Sequence, residues 1–264
     1  MSYDFATTSY GKWILAGEHA VLRGHPALVF PLKDKALRLT YTACKTPLTL
    51  KYEGENADTC LPPIWKLLHV GFEKLNLDSD QLTGELHISN QIPIGAGLGA
   101  SAALCVAITR WLKAYFDAEL NLFEFARSLE NLFHGQSSGL DIAGSAANEN
   151  GIYFQAGNIR PITQTWKPHW RLSFSGTPGV TSECIKQVET LWKKDRTQAE
   201  CIDKVMAQSV LQAQSALETH HNQTDLVEAI QSASHCFDAW GLINQPLRKH
   251  MNELLDAGAL AVKP

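Results

Sequence analysis

The chain has 264 residues, 45% of them hydrophobic and 19% charged, with a formal net charge of −4. That composition provides a core for one large or two ordinary domains and argues against disordered and fibrous classes. No block of lysine and arginine offers a nucleic-acid or membrane footprint, so a small-molecule partner is the default.

The longest apolar runs stop short of the roughly 18 to 20 residues that span a bilayer. The N-terminal stretch MSYDFATTSYGKW lacks a basic region followed by an apolar run, so a cytoplasmic protein is expected. Six cysteines (Cys44, Cys60, Cys105, Cys184, Cys201 and Cys236) are scattered without a CxxC pair. This predicts reduced thiols packed as small hydrophobes rather than a disulfide framework or a zinc site.

In chain order, residues 13 to 40 read as short apolar runs broken by glycine and proline, which predicts strands joined by turns. Strand-like alternation returns at LTLKYEG and GELHIS. Between them PPIWKLLHVGFEKLNL has helical spacing, with Ile64, Leu67, Leu68 and Phe72 on one side and Pro62 and Pro63 at its start. Residues 102 to 116 are apolar around much of the circumference, as a helix buried between layers is. NLFEFARSLENLFHG follows as a further helix with Gly135 as its stop. Strands are expected near GIYFQAG and HWRLSFSG, and four helical patterns then fill the chain from SECIKQVETLWKKD to PLRKHMNELLDAGAL. The change from mixed to mainly helical composition places a domain boundary near Ala156. His220 and His221 lie at a helix end and are assigned no metal.

Four stretches carry chemistry. In QIPIGAGLGASAA the Walker pattern fails because no lysine follows the glycines. A dinucleotide fingerprint is met literally by Gly95, Gly97 and Ala100, but it should follow directly on a buried strand, and SNQIPI intervenes. A loop whose N–H groups face an anion, with a helix N-terminus at Ser101, and a tight packing turn both stay open. In the helix from Leu122 to His134, at about 100° per residue and with Ala126 at the origin, Glu130 falls at about 40°, inside the apolar arc. A carboxylate there must be paired, hydrogen-bonded or bound to a cation. In HGQSSGLDIAGSAAN, Asp141 lies near a helix start, where an N-cap is its plainest role. Near the N-terminus, Lys12 sits beside an apolar strand and GEHAVLRG sets Glu18 and His19 in a turn; such residues are usually solvated.

Taken together, GKWILAGEHAVLRGHPAL, IPIGAGLGASAA and ENLFHGQSSGLD resemble, in order and spacing, three motifs of the mevalonate kinases. These belong to the superfamily of galactokinase, homoserine kinase, mevalonate kinase and phosphomevalonate kinase (GHMP kinases). The resemblance covers the first 155 or so residues well and the rest in outline. It implies Asp141 as the acceptor of the substrate hydroxyl's proton and Lys12 as its neighbouring cation. It implies Glu130 and Ser101 as magnesium ligands, and residues Gly95, Ala96, Gly97, Leu98, Gly99, Ala100 and Ser101 as the loop around the ATP phosphates. Glu18 and His19 are implied to face the mevalonate end. The family usually has serine where this chain has Ala100, which removes one hydroxyl from the phosphate loop.

The implied fold is α+β in two domains with the active site in a cleft between them. Residues 1–155 form a ribosomal-protein-S5-domain-2-like ATP-binding and catalytic domain. Residues 156–264 form a ferredoxin-like domain with extra helices. LLDAGALAVKP resembles the approach to the family's third glycine-rich motif, and the sequence stops before those glycines, so a truncated second domain is expected. The implied reaction is Mg2+-dependent transfer of the ATP γ-phosphoryl group to the primary hydroxyl of mevalonate. The alternatives are a kinase of the same fold for phosphomevalonate or another small alcohol, with Arg23 and Lys33 as cations for a phosphorylated acceptor, or a non-catalytic nucleotide- or metabolite-binding paralogue. Expected partners are ATP and the small acceptor, with no nucleic acid and no membrane; a homodimer is a candidate assembly.

Overall fold

The structure is a computed structural model that describes residues 3–77, 82–135, 137–176, 181–219 and 222–264. Gln136, His220 and His221 lie outside the described residues. The chain forms two compact units, neither continuous in sequence: residues 1–13, 31–94 and 98–148 make the first, and residues 14–30, 95–97 and 149–264 the second. Two long strands, β1 (Phe5–Ala16) and β2 (Ala27–Pro47), pair with each other and contribute to both units.

In the first unit β3 (Thr49–Glu53) runs parallel to β4 (Thr83–Asn90), and β4 pairs antiparallel with the later part of β2. The register sets Leu39 opposite Ile88 and Tyr41 opposite Leu86. Directly opposed residues share a face, so all four, with Leu37, are buried together. Helices α1 (Ala57–Lys74) and α2 (Ala100–Tyr115) fill out the same core. α1 buries Ile64, Leu67, Leu68 and Phe72, the face its spacing predicts. α2 buries residues 102–109 together with Trp111 and Leu112, the all-round burial expected of an interior helix. Helices α3 (Leu122–His134) and α4 (Leu140–Ala146) pack against α2. Asn121 caps α3 by accepting the Glu124 N–H at 3.2 Å, and Gly135 ends it at φ 73°.

The second unit continues the early part of β2, where Ala27, Leu28 and Val29 pair antiparallel with β5 (Ile152–Gln155), itself paired with β6 (Asn158–Pro161). Four helices follow: α5 (Thr181–Lys194), α6 (Arg196–Glu218), α7 (Gln223–Ala239) and α8 (Gln245–Asp256). α6 and α7 pack along each other, and α6 meets the short 3-10 turn at Ala20–Arg23. Asp195, Asn222 and Asn244 cap α6, α7 and α8 through their side chains. No helix among the described residues is long and apolar enough to cross a membrane.

Three expectations are corrected. Pro62 and Pro63 lie inside α1, which begins one turn earlier at Ala57. The carbonyls that lose their helical donors belong to Asp58 and Thr59, both exposed, so water can serve them. Residues 13 to 40 do contain strands joined by a turn, but only β1 and β2, and Pro31 lies inside β2 rather than breaking it. HWRLSFSG is irregular: its alternation puts Leu172 and Phe174 outward, at 50% and 61% exposure, and no strand among the described residues pairs with it. All six cysteines are free, with Cys105 and Cys236 buried as small core residues.

Candidate active site

The first unit brings Lys12, Asp141 and Gly99 together. Lys12 is on β1, where its backbone N–H donates to the Leu98 carbonyl at 2.9 Å. It is not the solvated residue its type suggests: only 6% of it is exposed, and its Nζ lies 3.0 Å from Asp141 Oδ2. Gly99 is left-handed at φ 77°, and a Cβ there would stand 2.7 Å from Lys12 Cγ and 3.1 Å from Cε. The glycine is therefore required twice over, by its backbone conformation and by the lysine stem lying against it. Gly95 and Gly97 are also left-handed, at φ 77° and 72°, but face open space, so conformation alone fixes them as glycine.

Asp141 is not an N-cap. Gly139 occupies that position at φ 87°, Asp141 is the second residue of α4, and its carboxylate is turned to Lys12. α4 packs on α2, which carries Ala100 and Ser101 as its first two residues. The Ala100 methyl and the Leu98 side chain pack against the apolar core. At both positions only the backbone is left to serve a phosphate loop. Ser101 is partly buried at the start of α2.

Glu130, on α3, is only 1% exposed. Its Oε2 accepts a hydrogen bond from Ser137 Oγ at 2.5 Å, while Oε1 is buried with no hydrogen-bond partner among the described residues. Burial pushes its carboxyl up to about 7, and the charge of Asp141 adds to the rise. The Ser137 hydrogen bond, Lys12 and Arg127 pull the other way. A buried carboxylate oxygen with no donor could take a cation as its partner. Among the described residues no three His, Cys, Asp or Glu side chains cluster. Magnesium does not ask for that, because it is commonly held by one or two carboxylates plus substrate phosphates.

Two serines escape a reading of the sequence. Ser137 stands in none of the roles the motifs imply, yet its hydroxyl holds Glu130. Ser145 is fully buried, its Oγ has no partner among the described residues, and it lies 3.4 Å from where a Gly99 Cβ would be. Ser145 follows Asp141 by four residues, which sets both on one side of α4, a signal that was present in the sequence.

Glu18 and His19 belong to the second unit. His19 adopts φ 60°, ψ −48°, an unusual conformation for a residue with a side chain, just before the 3-10 turn. Its ring meets Phe237 and Trp240 edge-on, with centroids at 5.8 and 5.4 Å. Burial lowers its pKa to about 4, helped by Arg23 and Lys263, so the imidazole is neutral near pH 7. Glu18 Oε1 is paired with Lys263 Nζ, whereas Oε2 is buried without a partner among the described residues. Arg23 is committed to Asp203, which it grips through two nitrogens, and it stacks over Trp192 at 5.0 Å.

Residues 64–149 match the family model described as GHMP kinases N terminal domain. The chain is 26% identical to a mevalonate kinase of Pyrococcus horikoshii across 96% of its own length and 82% of that protein's. It superposes with a TM-score of 0.78 on the crystal structure of L. major mevalonate kinase in complex with R-mevalonate, at 19% identity, covering 98% of this chain and 82% of that one. Lactococcus lactis galactokinase complexed with galactose gives a TM-score of 0.73 at 15% identity, with coverage of 98% and 82%. Residues 64–149 thus match the GHMP-kinase N-terminal domain, and the chain shares the α+β fold of these solved kinases.

Proposed function

We propose that this chain is a mevalonate kinase, which transfers the ATP γ-phosphoryl group to the primary hydroxyl of mevalonate. The observation that carries the reading is the contact of the buried Lys12 Nζ with Oδ2 of the partly exposed Asp141 at 3.0 Å. A carboxylate that accepts a proton and an ammonium that favours the resulting alkoxide are the two groups such a transfer needs from the protein at the acceptor oxygen. In the step, the acceptor hydroxyl proton passes to Asp141, its oxygen forms a bond to the γ-phosphorus, and the bond from that phosphorus to the β-phosphate bridging oxygen breaks, releasing ADP. The remainder is positioning and charge compensation. Backbone N–H groups of residues 95–101 are suited to the phosphates, by the left-handed glycines and the N-terminus of α2.

Glu130 and Ser101 would hold Mg2+, which when bound supplies positive charge against the phosphate oxygens. The orphaned Oε1 of Glu130 fits such a role. Glu18 and His19 are assigned to the acceptor. Similarity to mevalonate kinases over nearly the whole chain supports mevalonate as that acceptor. A phosphorylated acceptor needs extra cations, and Arg23, one candidate for that task, is already engaged by Asp203.

An ADP-release assay with mevalonate, phosphomevalonate, galactose and homoserine tests the substrate: mevalonate alone should support turnover, and turnover with another acceptor only would overturn the assignment. Asp141→Asn should lower kcat by about 100-fold to 10,000-fold while ATP affinity stays within a few-fold, because proton acceptance is removed and the phosphate loop is not. A non-catalytic binder would show little change.

A further inference from the structure

In the first unit Ser137 has a bonding pattern that a turn residue does not need. Ser137 is 8% exposed, and each of its polar groups is engaged. Its N–H donates to Asn131 Oδ1 at 2.7 Å and its carbonyl accepts from Arg127 Nε at 3.0 Å, both on α3. Its hydroxyl accepts the Gly139 N–H at 3.0 Å and gives its own hydrogen to Glu130 Oε2. Gly139 is the N-cap of the helix that carries Asp141, and it must be glycine, since a Cβ there would stand 2.4 Å from the Phe123 ring. The serine is therefore a rivet between α3 and the start of α4, and it occupies one carboxylate oxygen of Glu130 while leaving the other bare.

We propose that Ser137 is a positioning residue for cation binding: it fixes the Glu130 carboxylate so that Oε1 alone is presented to the divalent cation, in register with the helix start that bears Asp141. This rests on the kinase reading given above and adds a residue to it. Hydroxyls behind a metal-ligating carboxylate set its orientation, and their loss typically weakens the metal about tenfold to a hundredfold. Without the serine hydroxyl, Glu130 is free to rotate, and both the Gly139 N–H and Oε2 lose their partner.

The test is a titration of Mn2+ into the full chain with a non-hydrolysable ATP analogue, reading free Mn2+ by electron paramagnetic resonance, so that no turnover is required. Ser137→Ala should weaken Mn2+ binding by about tenfold or more, and Ser137→Thr, which keeps the hydroxyl, should restore it to within about twofold. In steady state, Ser137→Ala should raise the cation concentration needed for half-maximal rate and leave the acceptor KM unchanged, which general loosening of the fold would not do. Ser137→Cys preserves the volume and weakens the donor, and serves as the folded comparison if the alanine variant does not fold. Glu130→Gln in the same titration separates the role of Ser137 from that of Glu130. If Glu130→Gln weakens Mn2+ and a folded Ser137→Ala or Ser137→Cys does not, the serine's role is overturned and the metal assignment stands. If Glu130→Gln itself binds Mn2+ like the unaltered chain, the metal assignment falls and the proposal with it.

Discussion

At the scale of single residues, the burial of Glu130 has a consequence for stability that depends on pH. Its carboxyl holds a proton up to about pH 7 in the folded protein, whereas the unfolded chain releases it near the ordinary value of 4.5. Between those two values the native state binds more protons than the unfolded state, so stability falls as pH rises. Its favourable contribution is fully present below pH 4.5 and is lost as pH climbs through about 7, with a total on the order of 3 kcal/mol. Denaturant melts of the unaltered chain and of Glu130→Gln at pH 4.5 and 7.5 without divalent cation should differ by about that amount in how much stability changes between the two pH values. Equal changes would show that Glu130 titrates normally. The same placement was readable beforehand from angles on the helix wheel, because a carboxylate among apolar residues conflicts with its surroundings whatever the fold. Its hydroxyl partner was not readable, since Ser137 reaches Glu130 only after the chain has reversed at Gly135. Lys12 misled for a related reason: a lone lysine beside an apolar strand is usually solvated, and only the three-dimensional pairing with Asp141 shows otherwise.

At the scale of elements, the junction at Gly99 links β1, the glycine loop and α2. Gly99→Ala demands an L residue at φ 77° and drives a methyl to 2.7 Å from the Lys12 stem. It should cost about 1 to 3 kcal/mol of stability from backbone strain alone. Because the nearest atoms belong to Lys12, kcat should fall at least tenfold even at temperatures where the variant is folded. Thermal denaturation and steady-state kinetics on one preparation check both parts, and a variant that melts early but turns over normally would separate Gly99 from the lysine. Helical elements were the most legible, because α1 carries a periodic face, α2 an unbroken apolar run, and α3, α6, α7 and α8 a capping side chain that local sequence displays. Strands were less so. LTLKYEG and GELHIS alternate and do form β3 and β4, yet nothing local says that they run parallel. HWRLSFSG alternates equally well and forms no strand, because alternation marks only a capacity that a neighbouring edge must take up.

At the scale of the whole molecule, the units interleave along the chain, which a change in composition cannot reveal. Residues 14–30 supply the second unit with the β2 segment that pairs with β5, the Gly17 N–H that meets Met206 Sδ at 3.2 Å, and the Arg23 that satisfies the fully buried Asp203. Removing one partner of a buried ion pair costs about 3 to 5 kcal/mol, and lost strand pairing adds to that. Residues 149–264 expressed alone should therefore lack a cooperative thermal transition by circular dichroism, and a fragment in which residues 14–30 are fused ahead of them should regain part of it. A sharp transition in the shorter fragment, close to that of the full chain, would contradict this.

Lys12 illustrates how the fold separates two demands that fall on one position. Its main-chain N–H tethers the glycine loop at Leu98, and its side chain serves Asp141. Every amino acid except proline supplies that N–H, so the tether is indifferent to which side chain residue 12 carries. Mutation can thus silence or retune the charge at this position while the loop stays anchored, and the chemistry can drift through evolution without dragging the architecture of the glycine loop along with it.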